Sequence, residues 1–140
     1  MDKQALIDAL NQDLAAEYAA IIQYAHYAAK VRGPWRSELR SFFQAEIPDE
    51  QLHAQYLADK IAAMGGNPTT VPSAVRDVQD TKEMMIAVRD AEEEAVRRYT
   101  LRAQQAEQMG EIALKVQLEN FIMDEQNHMQ EVDQMLAEWR

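Results

Sequence analysis

The sequence predicts an all-α protein: an antiparallel four-helix bundle made of two pseudo-symmetric helical hairpins joined by a long crossover. Three observations lead to this fold class. Glycine and proline punctuate the 140 residues in only a few places and leave four long segments. Within each segment, apolar residues recur at spacings of three and four, as they do on one face of a helix. The connection between the second and third segments, at about 16 residues, is long enough to cross the length of a bundle.

The boundaries of the elements follow the glycines, the prolines and one helix cap. We place the helices at about residues 3–31, 34–64, 81–109 and 111–139, and the crossover at 65–80. Tight turns at Gly33 and Gly110 make the first two and the last two helices antiparallel hairpins. Asp80, with Glu83 three positions later, forms a capping-box-like start for the third helix. A chain of this length supports one core, so residues 1–140 are expected to form a single domain.

Composition excludes several classes of function. The chain has no cysteine, which excludes disulfides, thiol catalysis, iron–sulfur clusters and cysteine-bound zinc. Its 24 acidic and 14 basic residues give a formal charge of −10, which disfavours nucleic acid and anionic membranes and favours cations as ligands. No signal or transit peptide is recognisable, and no apolar run approaches the ~20 residues of a membrane span. A cytoplasmic location is therefore expected.

Glutamate and histidine interrupt the apolar stripe of every helix, at positions where the period calls for leucine. The residues are Glu17 in the first helix, Glu50 and His53 in the second, Glu92 in the third, and Glu125 and His128 in the fourth. Each histidine follows a glutamate by three positions, which places the two side chains on the same helix face. These polar residues predict a site inside the bundle.

The two halves of the chain repeat at an offset of 75 residues. The pattern Asp-Glu-Gln-x-His-x-Gln occupies residues 49–55 and again residues 124–130. The same offset relates a glutamate and a tyrosine in each half, namely Glu17 with Glu92 and Tyr24 with Tyr99. Two similar hairpins related by a pseudo-two-fold axis are the simplest explanation.

The four glutamates of the repeat also share one level along the bundle. Each lies 15 to 18 residues from the glycine of its own hairpin turn, which is about 25 Å at 1.5 Å per residue. Four carboxylates in a core cannot all stay ionised and unpaired, because each bare buried charge costs several kcal/mol. Two divalent cations would balance them, and the two imidazoles would add one nitrogen each. Such oxygen-rich ligation favours iron or manganese over structural zinc.

Two segments carry a specific family resemblance. Residues 17–24, EYAAIIQY, and residues 49–53, DEQLH, are similar to bacterioferritin, and the likeness to this ferritin-like family covers all four helices, from about residue 3 to 139. By that resemblance each predicted ligand has a role: Glu50 and Glu125 bridge two iron ions, Glu17 and Glu92 are terminal ligands, and His53 and His128 each bind one ion. The resemblance also implies oxidation of Fe(II) by O₂ or H₂O₂.

The sequence departs from the bacterioferritin pattern in three ways. Gln51 stands where bacterioferritin places the methionine that ligates haem at the dimer interface, so haem is not expected. No fifth helix follows the fourth, which favours a homodimer or other small homo-oligomer over a 24-subunit cage. Pro48 removes one helical hydrogen bond close to Glu50 and is expected to kink the second helix or widen a turn.

Other residues near the predicted site have more than one interpretation. Tyr24 and Tyr99 are candidate catalytic residues, although packing with a hydrogen bond near the ligands is the simpler interpretation. Glu46 lies on the apolar stripe but corresponds to Phe121 in the second half, so it is a candidate accessory carboxylate.

Three further polar residues lie outside the predicted ligand set. Asp49 and Asp124 are interpreted as solvated, or as residues that attract cations. His26 lies off the apolar stripe and is interpreted as a surface or interface histidine.

The main functional hypothesis is a ferroxidase that takes part in iron storage or detoxification. The alternative is a non-storing di-iron or di-manganese oxidoreductase, similar to peroxide-reducing rubrerythrins or small oxidases. Because the chain lacks the cysteines of a rubredoxin-type centre, such an enzyme would need an electron-transfer partner. A DNA-protecting mini-ferritin is disfavoured, since that family builds its metal site between subunits. A metal-stabilised scaffold without turnover is the non-catalytic interpretation.

Overall fold

A computed structural model describes residues 1–139, and its four α-helices are α1 (Lys3–Lys30), α2 (Arg36–Ala63), α3 (Thr81–Gln108) and α4 (Ile112–Leu136). These described residues contain no β-strand. α1 packs along α2, α3 packs along α4, and α1 also contacts α3. The predicted all-α four-helix bundle of two hairpins is confirmed, and Arg140 lies outside the described residues.

The apolar core is divided into two layers by a band of buried polar side chains. The first layer includes Leu6, Leu10, Leu57, Ile61 and Leu114. The second layer includes Tyr27, Phe43, Met84, Met85 and Val132. Along α2, the second layer ends at Phe43 and the first resumes at Ala54, and the buried polar positions lie between them. Apolar layers on both sides make an unpaired charge in this band costly.

Two helix ends differ from the predicted ones. Pro34 was expected near the start of α2, but Gly33, with φ of +105°, and the two residues after it form a turn, so α2 begins at Arg36. α4 ends at Leu136 rather than near residue 139, because the backbone leaves the helical conformation and reaches a φ of +61° at Glu138.

The start of α3 and the interior of α2 also bear on the predictions. Asp80 is the N-cap of α3, and its side chain accepts a hydrogen bond from the backbone N–H of Glu83 at 3.2 Å. Pro48 lies inside α2 and lacks the N–H that would complete one helical bond. α2 nevertheless remains α-helical on both sides of Pro48.

The crossover between α2 and α3 runs beside α1, in the same direction. Hydrogen bonds fix it at successive points: Asn67 and Thr69 to Asn11, Ser73 to Ala15, Arg76 to Tyr27, and Asp77 to Lys30. The crossover therefore returns the chain along the bundle, so that α3 starts beside the C-terminal end of α1 and runs antiparallel to α1. No helix among the described residues combines the length and the apolarity needed to cross a membrane.

Candidate metal centre

Six side chains from the four helices meet in the polar band between the apolar layers. They are Glu17 of α1, Glu50 and His53 of α2, Glu92 of α3, and Glu125 and His128 of α4. The first five are at most 3% exposed, and His128 is partly buried. They face inward because each occupies a position of its helix's apolar stripe.

The first half of the centre surrounds His53. Its Nδ1 lies 3.3 Å from Glu125 Oε1 and 3.8 Å from oxygens of both Glu17 and Glu50. Ligand-type atoms of these four residues all lie within 4.8 Å of one another. This group is compact enough to hold one cation.

The second half of the centre surrounds His128. Ligand-type atoms of Glu92, Glu125 and His128 also lie within 4.8 Å of one another. His128 Nδ1 is 4.0 Å from Glu125 Oε2 and 4.0 Å from Glu50 Oε1, while the other oxygens of these two glutamates face His53. Glu50 and Glu125 therefore lie between the two histidines, where carboxylates that bridge two cations would have to be.

Buried side-chain atoms without a hydrogen-bond partner concentrate in this centre. Among the described residues, five of the seven such atoms belong to predicted ligands: Glu17 Oε2, His53 Nδ1, Glu92 Oε2, Glu125 Oε1 and His128 Nδ1. A buried polar atom left unpaired costs about 1–3 kcal/mol, so proteins normally avoid such groups. Carboxylate oxygens with a few imidazole nitrogens are a donor set suited to Fe(II) or Mn(II). The residues present therefore fit a pair of divalent cations.

The two predicted tyrosines each contact a glutamate of the other hairpin. The hydroxyl of Tyr24 on α1 donates to Glu92 Oε1 at 2.5 Å, and the hydroxyl of Tyr99 on α3 donates to Glu17 Oε1. Both tyrosines are buried. Each hydroxyl satisfies one carboxylate oxygen and leaves the second oxygen without a hydrogen bond.

Asp49 and Asp124 have more specific contacts than the sequence indicated. Asp124 Oδ2 lies 3.0 Å from His53 Nε2, and Asp49 Oδ2 lies 3.6 Å from His128 Nε2. Each aspartate is about half exposed, so it is solvated as expected, but it also contacts the outer nitrogen of the histidine on the opposite hairpin. Such a contact orients the ring and directs Nδ1 into the centre.

One position distinguishes the two halves. Glu46 is buried, and its Oε2 lies 2.8 Å from His128 Nδ1. Phe121, its counterpart in the repeat, stacks on His53 with ring centroids 4.0 Å apart. The candidate accessory carboxylate is therefore placed directly against the second half of the centre.

The pKa values of three glutamates of the centre move in different directions in the absence of metal. Burial alone would raise the pKa of Glu17, but hydrogen bonds with Glu50 and His53 outweigh it and lower this pKa. Burial, together with the charges of Glu17 and Glu125, raises the pKa of Glu50 well above its usual range. Burial also raises the pKa of Glu92, from 4.5 to about 8. Protonation of Glu50 and Glu92 thus relieves part of the expected repulsion among the buried carboxylates when no cation is present.

The two histidines gain protons for the opposite reason. Burial by itself would lower the pKa of His53, but contacts with Glu125 and Glu17 outweigh it and raise the pKa to about 10. Burial opposes protonation of His128 in the same way, and the Glu46 carboxylate outweighs it, so that the pKa rises to about 9. Metal binding must displace these protons.

A cavity of about 250 Å³ leads to the carboxylates from one side of the bundle. It lies between α1, α3 and the crossover, and much of its wall is alanine. Glu17, Glu50, Glu92 and Glu125 contribute to the wall, whereas neither histidine does. Small molecules and ions thus have an approach to the carboxylate side of the centre.

One buried polar pair next to the centre was not predicted from the sequence. Asp13 is fully buried, and the Arg102 guanidinium donates two hydrogen bonds to it, at 2.7 and 3.1 Å. The 75-residue repeat did not indicate this pair, because Val88 corresponds to Asp13 and Tyr27 corresponds to Arg102. The spacing of four residues between Asp13 and Glu17 was the available indication, since it places both on one helix face.

His26 lies away from the centre. Its Nε2 contacts Asp77 of the crossover at 2.8 Å, on the exposed side of α1. This agrees with its interpretation as a surface histidine.

Comparisons with known proteins agree with the four-helix fold. The chain matches the ferritin family, described as a ferritin-like domain, over residues 7–140. It is 30% identical over 132 residues to a bacterioferritin of Streptomyces coelicolor, which covers 94% of this chain and 79% of that protein.

Solved structures show the same fold. Ferritin-like diiron-carboxylate proteins from Bacillus anthracis superpose with a TM-score of 0.94 at 48% identity, covering 97% of this chain and 99% of theirs. A dodecameric, bacterioferritin-related thioferritin from Bacteroides fragilis has a TM-score of 0.87 at 24% identity, covering 98% and 87%. With a family match over nearly the whole sequence, the chain belongs to the ferritin-like family.

Proposed function

We propose that the protein is a ferroxidase, which oxidises Fe(II) to Fe(III) with O₂ or H₂O₂ in iron storage or detoxification. The observation that carries this proposal is the convergence of buried, unpartnered ligand atoms from all four helices. Iron is favoured over manganese because the chain belongs to the ferritin-like family, whose members bind iron.

In this proposal the substrate is a pair of Fe(II) ions, and each residue of the centre has a defined task. Glu50 and Glu125 bridge the two ions, since each directs one oxygen toward each histidine. Glu17 and His53 complete one position. Glu92 and His128 complete the other.

The two tyrosines hold the terminal carboxylates in place. Burial, reinforced by the charge of Glu92, raises the pKa of Tyr24 well above 10, and burial with Glu17 does the same for Tyr99. Both hydroxyls therefore remain protonated donors near neutral pH. Each fixes one oxygen of its glutamate and leaves the other free for a cation.

The reaction balances with two iron ions per oxidant molecule. Each Fe(II) gives up one electron. O₂ accepts both electrons with two protons and leaves as H₂O₂, or H₂O₂ accepts them with two protons and its O–O bond breaks to give two waters. The cavity between α1, α3 and the crossover gives the oxidant access to the carboxylate side of the centre.

Anaerobic titration with Fe(II), followed by addition of O₂, tests the proposal. The wild type should bind two Fe(II) per chain and consume one O₂ per two Fe(II), faster than free iron under the same conditions. Glu50→Ala should reduce both signals to background, whereas Glu119→Gln, which removes an exposed acid from α4, should behave as wild type. Wild-type oxygen uptake no faster than that of free iron would contradict a ferroxidase.

Assembly decides whether oxidised iron can also be stored. We infer a homodimer or other small homo-oligomer, in which the α1 and α2 faces pack across a two-fold axis. The protein from Bacteroides fragilis is dodecameric, so a twelve-subunit shell is the specific alternative. Light scattering distinguishes a mass of twice 16.0 kDa from twelve times that value. A hollow particle would make mineral storage the primary function.

A further inference from the structure

The two halves of the centre differ most at the position related to Glu46 by the repeat. In the first half, Phe121 stacks on the His53 ring and offers no ligand. In the second half, Glu46 occupies the corresponding position on α2 and offers a carboxylate. The repeat therefore supplies six shared ligands, and one position adds a seventh candidate to the second half only.

Glu46 has the same unsatisfied character as the predicted ligands. It is only 7% exposed, and its Oε2 has no hydrogen-bond partner. The facing atom, His128 Nδ1, also lacks one, although the two atoms are 2.8 Å apart. A simple glutamate–histidine pair would align an N–H with the oxygen. Here the two atoms are close, but their alignment is not that of a hydrogen bond.

The surroundings of Glu46 on α2 favour pairing of its carboxylate with a cation. It lies on the buried stripe of α2, one turn before Glu50 and between that residue and the apolar Phe43. A buried carboxylate next to apolar side chains is expensive unless it is paired with a cation. Ligand-type atoms of Glu46, His128 and Asp49 also lie within 4.8 Å of one another, but Asp49 is half exposed and contacts the outer nitrogen of His128 rather than the inner one.

We propose that Glu46 is a ligand of the metal ion at the His128 position and makes the two metal positions chemically unequal. This inference rests on the proposed function only in requiring that the centre binds two cations. The His128 position then has one more carboxylate than the His53 position, so it binds a divalent cation more tightly and fills first. The additional charge also stabilises Fe(III) relative to Fe(II) at that position.

Calorimetric titration with Co(II), an air-stable divalent probe, tests the inequality without relying on oxidation. The wild type should take up two Co(II) in two steps of different affinity. Glu46→Gln, which keeps the size of the side chain, should weaken the tighter step by at least about tenfold, since even residues that only support a ligand contribute 10–100-fold. The weaker step should be unchanged.

Two further variants separate ligation from a general effect of charge. Glu46→Asp keeps the charge but withdraws the carboxylate by one methylene, so it should weaken the tighter step as Glu46→Gln does. Glu131→Gln removes a charge from the exposed surface of α4, three residues after His128, and should leave both steps at wild-type values.

Anomalous diffraction from Co(II)-loaded crystals provides a second readout. It should show Glu46 Oε2 at bonding distance from the cobalt next to His128 and no protein oxygen at the corresponding place near Phe121. Wild-type affinity in Glu46→Gln or in Glu46→Asp would overturn the proposal, as would a cobalt ion that Glu46 does not touch. A wild type that binds no Co(II) would instead remove the metal centre itself, and with it the proposed function.

Discussion

The two halves of the metal centre show which features the repeat fixes and which it leaves free. Both halves contain a terminal glutamate held by a tyrosine of the other hairpin and a histidine contacted by an aspartate of the other hairpin. They differ in the residue against each histidine ring, which is Phe121 for His53 and Glu46 for His128. A two-fold repeat thus supplies a common set of candidate ligands, and in our proposal the one difference at Glu46 makes the two metal positions unequal.

Substitution of a proposed bridging carboxylate should cause the largest loss of metal binding, because each bridge contacts both metal positions. We expect Glu50→Ala to abolish binding of both metal ions. Glu17→Ala or Glu92→Ala should slow iron oxidation with a smaller loss of binding, since each side chain serves one position. Metal analysis after dialysis against Fe(II) under anaerobic conditions measures the stoichiometry. Two bound ions in Glu50→Ala would refute the bridging assignment.

The second-largest effect should be the pH dependence of the free energy of unfolding of the metal-free protein. The folded-state pKa values of Glu92, about 8, and of His128 and His53, about 9 and 10, all lie above the unfolded values of about 4.3 and 6.5. The folded state therefore binds more protons than the unfolded state from about pH 5 to 10. For each extra proton that the folded state binds, the free energy of unfolding falls by about 1.4 kcal/mol for every unit by which the pH rises.

Denaturant unfolding with a chelator present, at pH values from 5 to 9, measures this dependence. The metal-free protein should be most stable at mildly acidic pH and lose stability as the pH rises. Glu92→Gln should stabilise the metal-free protein at pH 8 and weaken the metal-bound one, because the amide carries no charge in either state. An amide variant less stable than the wild type without metal would show that the hydrogen bonds of the Glu92 carboxylate outweigh charge repulsion in the core.

Helical periodicity predicted which side chains would converge in the bundle wherever a polar residue interrupts an apolar stripe. Glu17, Glu92 and the two Glu-x-x-His pairs stand out because they interrupt apolar stripes at matching depths, and the structure brings them together. The repeat also singled out Tyr24 and Tyr99, whose hydroxyls contact glutamates of the opposite hairpin. Helical periodicity and a tight turn fix both the face and the level of a residue, so these positions follow from the sequence.

Contacts between hairpins were harder to predict than positions within one. Asp49 and Asp124 appear at the repeat offset, but only the packing of α2 against α4 shows that each contacts the opposite histidine. The buried pair of Asp13 and Arg102 joins α1 to α3 and has no counterpart in the other half. Neither the distance between helices nor their rotation about their axes is encoded in a local pattern.

The tyrosines allow a matched comparison of the halves. Tyr99→Phe removes the hydroxyl that holds Glu17, and Tyr24→Phe removes the one that holds Glu92. A hydrogen bond to a charged group contributes about 1.5–3 kcal/mol, so each change should weaken its own metal position by roughly tenfold or more. Co(II) titration should show the tighter step reduced in Tyr24→Phe and the weaker step in Tyr99→Phe. Equal changes in both steps would indicate that the two positions are not independent.

The smallest difference is expected from the aspartates outside the centre. Asp124 lies 3.0 Å from His53 Nε2, whereas Asp49 lies 3.6 Å from His128 Nε2, so Asp124 orients its histidine more firmly. Supporting residues of this kind contribute about 10–100-fold to metal affinity, and both aspartates are half exposed, which places them at the lower end. We expect Asp124→Asn to weaken the His53 position by about tenfold and Asp49→Asn to weaken the His128 position by less. Stepwise Co(II) affinities measure both, and a larger loss in Asp49→Asn would mean that Glu46 alone does not hold the His128 ring in place.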